Sequence, residues 1–265
     1  MPDQAGPSAN QVARRLFILR AIHICGYIIP PADILAEWRF CKSETEYREI
    51  LEGCQEGLVK HWSHIDRAPL RAELGPDEEK LIATPVDQVT PRHLTDAFWR
   101  IESIQALMWC LGQIEAMPLY DRRADDVILR EPKFWTSWSF LDEARLRPQA
   151  EIEAARDEAE LWHWRSRTRE LIESGADPWN DPTSKERPAD RLDGIVRLVA
   201  QKLAGEVPPK PTIDEDMPAM GKAYRDLTDD EWADVRSITI ERHLALNWVC
   251  GYAPNNYWEL TPTGT

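Results

Sequence analysis

The stretch TPRHLTDAFWRIESIQALMWCLGQIEAMP, from Thr90 to Pro118, decides the fold of this 265-residue chain. Thr90 is a favoured helix N-cap, Pro91 suits the first helical position, and Pro118 cannot continue a helix. Between them the apolar side chains leave no continuous polar face, which is typical of a helix buried on most sides. Charged residues interrupt the run too early for a membrane span, which needs about 20 apolar residues. The pattern predicts a buried central helix at about residues 91–117.

Apolar residues at helical spacing recur on both sides of this stretch, and helices are expected wherever they do. Two capping boxes mark helix starts, Ser43 with Glu46 and Thr228 with Glu231. A strand signal is confined to a brief run at Leu58–His61. We therefore predict an all-α fold, a compact multi-helix domain around one buried helix with little or no sheet. Besides the central helix, the expected helices cover residues 11–26, 32–40, 43–54, 148–174, 189–203 and 228–250, with one short helix each within residues 74–81 and 119–139.

The domain organisation follows from where this periodicity begins and where it breaks. Residues 1–10 lack an apolar pattern and are expected to be disordered, whereas residues 11–265 are expected to form one helical domain. The first part of that domain, residues 11–64, should hold three helices. Residues 205–226 contain PPKP and an acidic cluster but few large apolar groups, so a long acidic, Pro-rich loop is expected there.

The charge of the chain bears on its partners. A formal net charge of −14 disfavours nonspecific binding to nucleic acid or to anionic membranes, since both attract clustered Lys and Arg. A basic protein partner is compatible with it. The three N-terminal helices resemble a winged-helix pattern, but the third would present several glutamates to the DNA phosphates. We therefore expect neither a nucleic-acid partner nor a membrane partner.

The cysteines and the N-terminus indicate the compartment. Five cysteines, at positions 25, 41, 54, 110 and 250, are an odd number without CxxC spacing, which suits reduced thiols better than disulfides or a zinc site. The N-terminus lacks a basic region followed by an apolar core, so no signal peptide is expected. We predict a cytoplasmic location.

Three segments carry a resemblance to a known family: WRIESIQALMWCLG at 99–112, LWHWRSR at 161–167, and ERHLALNWVCGY at 241–252, followed by Trp258. Together with RRLFILRAI and LGPDEEKLI, they resemble the family called domain of unknown function 4272. The resemblance covers roughly residues 11–265. It implies a compact helical domain of bacterial type with no established activity.

Within these segments, polar side chains stand on otherwise apolar helices, where a charge persists only if it is paired. Two interpretations stay open: a buried network that fixes the register of the helices, or a Trp-walled pocket in which a histidine carries a proton or contacts an anion. Twelve tryptophans in the chain are compatible with either one. The candidates for this network or pocket are Arg100, Glu102, Trp109, His163, Arg165, Glu241, Arg242, His243 and Trp248.

Common catalytic patterns are missing from the sequence. Glu160 and His163 form one E-x-x-H, but a di-iron bundle needs two such motifs, so no metal site is expected. G-x-S-x-G, P-loop and G-x-G-x-x-G motifs are absent, and Cys110 lies within the apolar central helix, where a thiol is inert. Neither catalytic residues nor a cofactor is predicted.

The leading hypothesis is a non-enzymatic acidic protein that binds another protein in a conflict or regulatory setting. A basic partner would meet Asp214, Glu215 and Asp216 of the acidic loop. The alternative is a small-molecule binder or hydrolase that uses the Trp, His, Arg and Glu pocket. DNA binding by residues 11–64 is a third hypothesis, which the charge disfavours.

Overall fold

Helix α5 (Pro91–Cys110) lies at the centre of the fold, packed between α1 (Ala9–Ile28) and α9 (Asp229–Val249). Helix α7 (Gln149–Ser174) packs on α9, and α8 (Pro188–Ala204) packs on α7. This computed structural model describes residues 5–66, 70–125, 139–179 and 186–264. The predicted all-α fold around a central helix is confirmed. The other α-helices and strands in these ranges are α2 (Ala32–Cys41), α3 (Glu44–Asp66), α4 (Pro76–Ala83), α6 (Ser139–Glu143), and the two-residue strands β1 (Pro218–Ala219) and β2 (Lys222–Ala223).

The main hydrophobic core forms where α1, α5 and α9 meet. Leu16 of α1, Ile104 and Leu107 of α5, and Leu246 of α9 are completely buried there. Burying each such side chain contributes roughly 1.5–3 kcal/mol, so this contact is a main source of stability. Among the described residues, no helix has both the length and the apolar character needed to cross a membrane.

The central helix ends earlier than the sequence predicts. Gly112 adopts a φ of +67°, and its N–H donates to the Trp109 carbonyl at 2.9 Å. The next N–H, that of Gln113, donates to the Met108 carbonyl at 2.9 Å, which completes a Schellman turn. The predicted end near residue 117 is therefore wrong, because Gly112 rather than the later proline terminates the helix.

Helix α3 replaces the brief strand expected at Leu58–His61. It runs to Asp66 and buries Leu58, Trp62 and Ile65, which lie on one helical face. A strand would place alternate residues on opposite faces. The strand prediction is wrong because the apolar spacing keeps its helical period beyond residue 61.

The N-terminal segment contains three helices, and the first starts earlier than expected. Ser8 and Gln11 form a capping box, and α1 begins at Ala9. The disorder expected for residues 1–10 therefore does not hold for residues 9 and 10, and residues 1–4 lie outside the described residues.

The segment expected to be a long acidic loop, residues 205–226, contains two consecutive tight turns. Asp214 and Glu215 have φ angles of +48° and +59°, and an antiparallel bridge joins Ile213 to Asp216 on either side of them. A second turn joins β1 to β2 and also has positive φ at both central residues. Such angles are typical of type I′ hairpin turns. We refer to residues 213–216 as the acidic turn.

Candidate functional site

The residues predicted to form one network or pocket do not come together in one place. They divide into ion pairs and a histidine pair, each joining different parts of the fold. Arg100, Glu102 and His163 line three different cavities. This separation fits the interpretation of register-fixing contacts better than that of one shared pocket. The pairs are Glu102–Arg242, Arg100–Glu241, Arg165–Asp216 and His163–His243.

Glu102 and Arg242 form a completely buried ion pair between α5 and α9. Arg242 Nη2 and Nε donate to Glu102 Oε2 at 2.7 and 3.0 Å, and Nη1 donates to the carbonyls of Pro118 and Leu119 at 2.7 and 3.0 Å. Glu102 Oε1 accepts the N–H of Ala124 at 2.7 Å. Burial raises the pKa of Glu102, and the charge of Arg242 opposes that rise. The pair thus ties both helices to the chain that follows α5.

Arg100 and Glu241 form a second ion pair between the same helices, nearer the surface. Arg100 Nη1 donates to Glu241 Oε1 at 2.8 Å, and the Ser103 hydroxyl donates to Glu241 Oε2 at 2.6 Å. The charge of Glu241 raises the pKa of Arg100. Because both side chains are mostly covered, this pair reinforces the register of α5 against α9.

Trp109 and Trp248 are buried core side chains. The guanidinium of Arg147 lies over Trp109, 4.9 Å from the ring centroid. Trp248 packs edge-to-face against Trp258 at 5.4 Å and donates its Nε1–H to the Asn256 carbonyl at 2.9 Å. Both tryptophans therefore anchor the packing, and neither lines the cavity beside His163.

Arg165 of α7 is paired with Asp216, at the base of the acidic turn. Its Nε and Nη2 each donate to one carboxylate oxygen at 2.7 Å, and both side chains are buried. Asp216 also accepts the N–H groups of Met217 at 2.8 Å and Arg225 at 3.0 Å. The guanidinium of Arg165 lies 4.6 Å from the ring centroid of Tyr224. Burial alone would raise the pKa of Asp216, but the hydrogen bonds and charge of Arg165 hold it below its ordinary value.

The acidic turn therefore presents two carboxylates to solvent where the sequence predicts three. Asp216 is buried in its ion pair with Arg165 and is therefore unavailable to a partner. Asp214 and Glu215 remain exposed at the tip. Arg225 donates to their backbone carbonyls at 3.3 Å, and Arg197 approaches Glu215 at 3.9 Å as a loose surface pair. The two exposed carboxylates therefore lie on a turn whose base is held by the Arg165–Asp216 ion pair.

His163 of α7 and His243 of α9 are hydrogen-bonded to each other through their Nδ1 atoms at 2.9 Å. Asn247, one turn after His243, sets the direction of this bond. Its Oδ1 accepts from Arg156 Nε at 3.0 Å and its Nδ2 donates to the Pro262 carbonyl at 2.8 Å, so the orientation of the amide is fixed. The second Nδ2 hydrogen donates to His243 Nε2 at 2.9 Å. His243 therefore carries its proton on Nδ1 and donates it to His163 Nδ1, which leaves the His163 proton on Nε2.

Both histidines are neutral near pH 7. Burial lowers the pKa of His163 to about 4, and the charges of Arg236 and Arg167 act in the same direction. Burial also lowers the pKa of His243 to about 4, helped by His163 and Arg156. The hydrogen bond between the rings agrees with this, since two charged imidazoles would direct N–H groups at each other.

His163 lines a cavity of about 430 Å³ between α7, α9 and residues 263–264. On α7, His163, Arg167 and Glu170 share one helical face. Glu170 Oε2 accepts Arg167 Nη1 at 2.6 Å and lies 3.7 Å from Nη2 of Arg236, on α9. The hydrogen bond from Arg167 holds the pKa of Glu170 below its ordinary value. Sequence reasoning missed Arg167, Glu170 and Arg236, although the first two follow His163 at helical spacing.

Among the described residues, no group of three His, Cys, Asp or Glu side chains is placed to hold a metal ion. All five cysteines are free thiols. Burial raises the pKa of Cys110, so this thiol is protonated at neutral pH.

A family model described as Domain of unknown function (DUF4272) matches residues 7–181, about two thirds of the chain. The match includes the segments at 99–112 and 161–167, and the segment at 241–252 lies beyond it. Neither a curated protein nor a solved structure matches the chain.

Proposed function

We propose that this chain, which belongs to the DUF4272 family, is a non-enzymatic binding protein whose partner is a basic protein. The observation that carries the proposal is the acidic turn, a folded element that holds two exposed carboxylates at the surface. A regulatory or conflict setting in a bacterium suits such a role.

The acidic turn is organised before any partner arrives. Asp214 and Glu215 stand at its tip, and Asp216 anchors its base through the buried pair with Arg165. Ordering a flexible loop on binding costs roughly 1–2 kcal/mol per residue in backbone entropy, and a preformed turn avoids that cost. Exposed carboxylates complement lysine and arginine side chains, which speeds association and selects a basic surface.

The polar groups inside the fold support a binding role over a catalytic one. A general base for hydrolysis needs a pKa near neutral pH, whereas the pKa of both His163 and His243 is about 4. The charges of Glu102 and Arg242 compensate each other in a fully buried pair.

The charge and the thiols support the remaining parts of the proposal. A net charge of −14 repels phosphate backbones and anionic membrane surfaces, so we propose neither as a partner. Five free cysteines suit a reducing compartment, and we therefore propose a cytoplasmic location.

Affinity purification of the tagged chain from its host, followed by mass spectrometry, tests the proposal. At low salt the wild-type chain should retain a basic protein that a high-salt wash releases. The variant Asp214→Lys/Glu215→Lys should lose this protein. The matched control Glu49→Lys/Glu52→Lys makes the same charge change on an exposed part of α3 and should keep it.

Two outcomes would contradict the proposal. Retention of the same protein by the turn variant would show that the acidic turn is not the contact. Loss from both variants would show that overall charge, and no particular surface, governs retention. Thermal melting of each variant checks that it is folded.

A further inference from the structure

We infer that the cavity between α7, α9 and residues 263–264 is a binding site for a small organic monocarboxylate. Its lining residues are separate from the acidic turn, so the site goes beyond the proposed protein-binding role and stands or falls independently of it. At about 430 Å³ the cavity lies in the lower part of the range of small-molecule sites.

The first reason is that the cavity wall supplies hydrogen-bond donors from three side chains. His163 lines the cavity, and its Nδ1 accepts from His243, so the ring proton lies on Nε2. Arg167 and Arg236 line the same cavity from α7 and α9, with side chains 46% and 42% exposed. A guanidinium has five N–H donors, and the contacts with Glu170 use only part of this capacity. A ligand in the cavity therefore meets N–H groups from both helices.

The second reason is the charge of the site. Arg167 and Arg236 contribute two positive charges, Glu170 contributes one negative charge, and His163 is neutral near pH 7. The charged side chains that line the cavity therefore sum to +1, in a chain of net charge −14. A monoanion balances this charge, whereas a dianion would bring excess negative charge near Glu170.

The third reason is that the donors are held in place before a ligand binds. Glu170 contacts both arginines through one oxygen, at 2.6 and 3.7 Å, and so keeps the two guanidinium groups together. The hydrogen bonds from Asn247 to His243 and from His243 to His163 keep the proton of His163 on Nε2. A carboxylate accepts from planar guanidinium groups in paired, charge-assisted hydrogen bonds. An amine would face two guanidinium groups, and the Glu170 carboxylate that could accept from it is already paired with them, so the site selects against cations.

Benzoate is a suitable probe, and the His163 ring reports on it. We expect titration of the full chain near neutral pH to shift the His163 side-chain signals in proton–nitrogen correlation spectra, with His163→Gln providing the assignment. Calorimetry should show that Arg167→Gln and Arg236→Gln each weaken benzoate binding about tenfold or more, because a charge-assisted hydrogen bond is lost. The matched control is Arg187→Gln, which changes an exposed arginine paired with Asp190 and should leave binding unchanged.

Three results would overturn the inference. The first is an absence of change in the His163 signals at about 20 mM benzoate, which is about twenty times a dissociation constant of about 1 mM. The second is equal benzoate affinity in Arg236→Gln and in the control. The third is tighter binding of inorganic phosphate than of benzoate, which would refute the monocarboxylate assignment. Melting curves establish that the variants are folded, as expected for partly exposed side chains.

Discussion

Replacing Asp216 by Asn should release the acidic turn while the helices stay folded. The substitution keeps the shape of the side chain but removes the charge that compensates Arg165 in a buried site. The amide oxygen of Asn is also a weaker acceptor than the carboxylate oxygens that now accept the N–H groups of Met217 and Arg225. Breaking a buried ion pair costs about 3–5 kcal/mol. Because about 1.4 kcal/mol corresponds to a factor of ten, the opening equilibrium of the turn should rise by roughly two to four orders of magnitude.

Hydrogen exchange read by mass spectrometry measures this opening. Peptides covering residues 213–225 should exchange much faster in Asp216→Asn than in the wild type, and peptides from α1 and α5 should be unchanged. The control is Asp193→Asn, a partly exposed carboxylate that lies 3.4 Å from Arg225 and should contribute less than about 1 kcal/mol. Unchanged exchange in residues 213–225 of Asp216→Asn would refute the claim that the buried pair holds the turn.

Two further predictions concern the interior of the fold. Arg242→Met leaves the buried Glu102 carboxylate unpaired, so the free energy of unfolding should fall by about 3–5 kcal/mol and the urea midpoint should drop; an unchanged midpoint would contradict the pairing. The pKa of both His163 and His243 is about 4 when folded and 6.5 when unperturbed, so the unfolded state binds more protons and stability should fall as the pH drops from about 6.5 to about 4. At pH 5 the loss is about 2 kcal/mol for each histidine. His163→Gln/His243→Gln should flatten the dependence of the melting temperature on pH in this window, and equal acid sensitivity in wild type and variant would refute the assignment.

Local sequence signals were sufficient for most of the helices. The capping residue Thr90 and the apolar spacing after it locate the start and the buried character of α5. The same reasoning places α7 to within one residue at each end. These features depend on neighbouring residues, which is why a pattern can predict them. The end of α5 was also visible in principle, since Gly112 is a residue of the type that closes Schellman turns.

The acidic turn could not be predicted in the same way. Asp214 and Glu215 differ from the Asn-Gly and Asp-Gly pairs that usually mark a type I′ turn. The contact that stabilises the turn joins Arg165 to Asp216, 51 residues apart in the chain. Composition predicts a solvated acidic loop, whereas in the fold the buried Arg165 pairs with one of its carboxylates.

The histidine pair could be predicted from the sequence only in part. His163 and His243 stand out in the sequence because they interrupt apolar helices, but their contact spans 80 residues and depends on how α7 packs on α9. The position of Asn247, four residues after His243, was the available sign of a partner on the same helical face.

The salt dependence of partner binding tests the central claim most directly. The dissociation constant of the captured basic protein would be measured across a range of salt concentrations for the wild type and for Asp214→Lys/Glu215→Lys. We expect wild-type affinity to fall steeply with salt, because exposed charges interact over only about 8–10 Å at physiological ionic strength, and we expect the variant to bind weakly with a shallow dependence. Equal affinity and equal salt dependence in the two proteins would contradict a role for the acidic turn in binding.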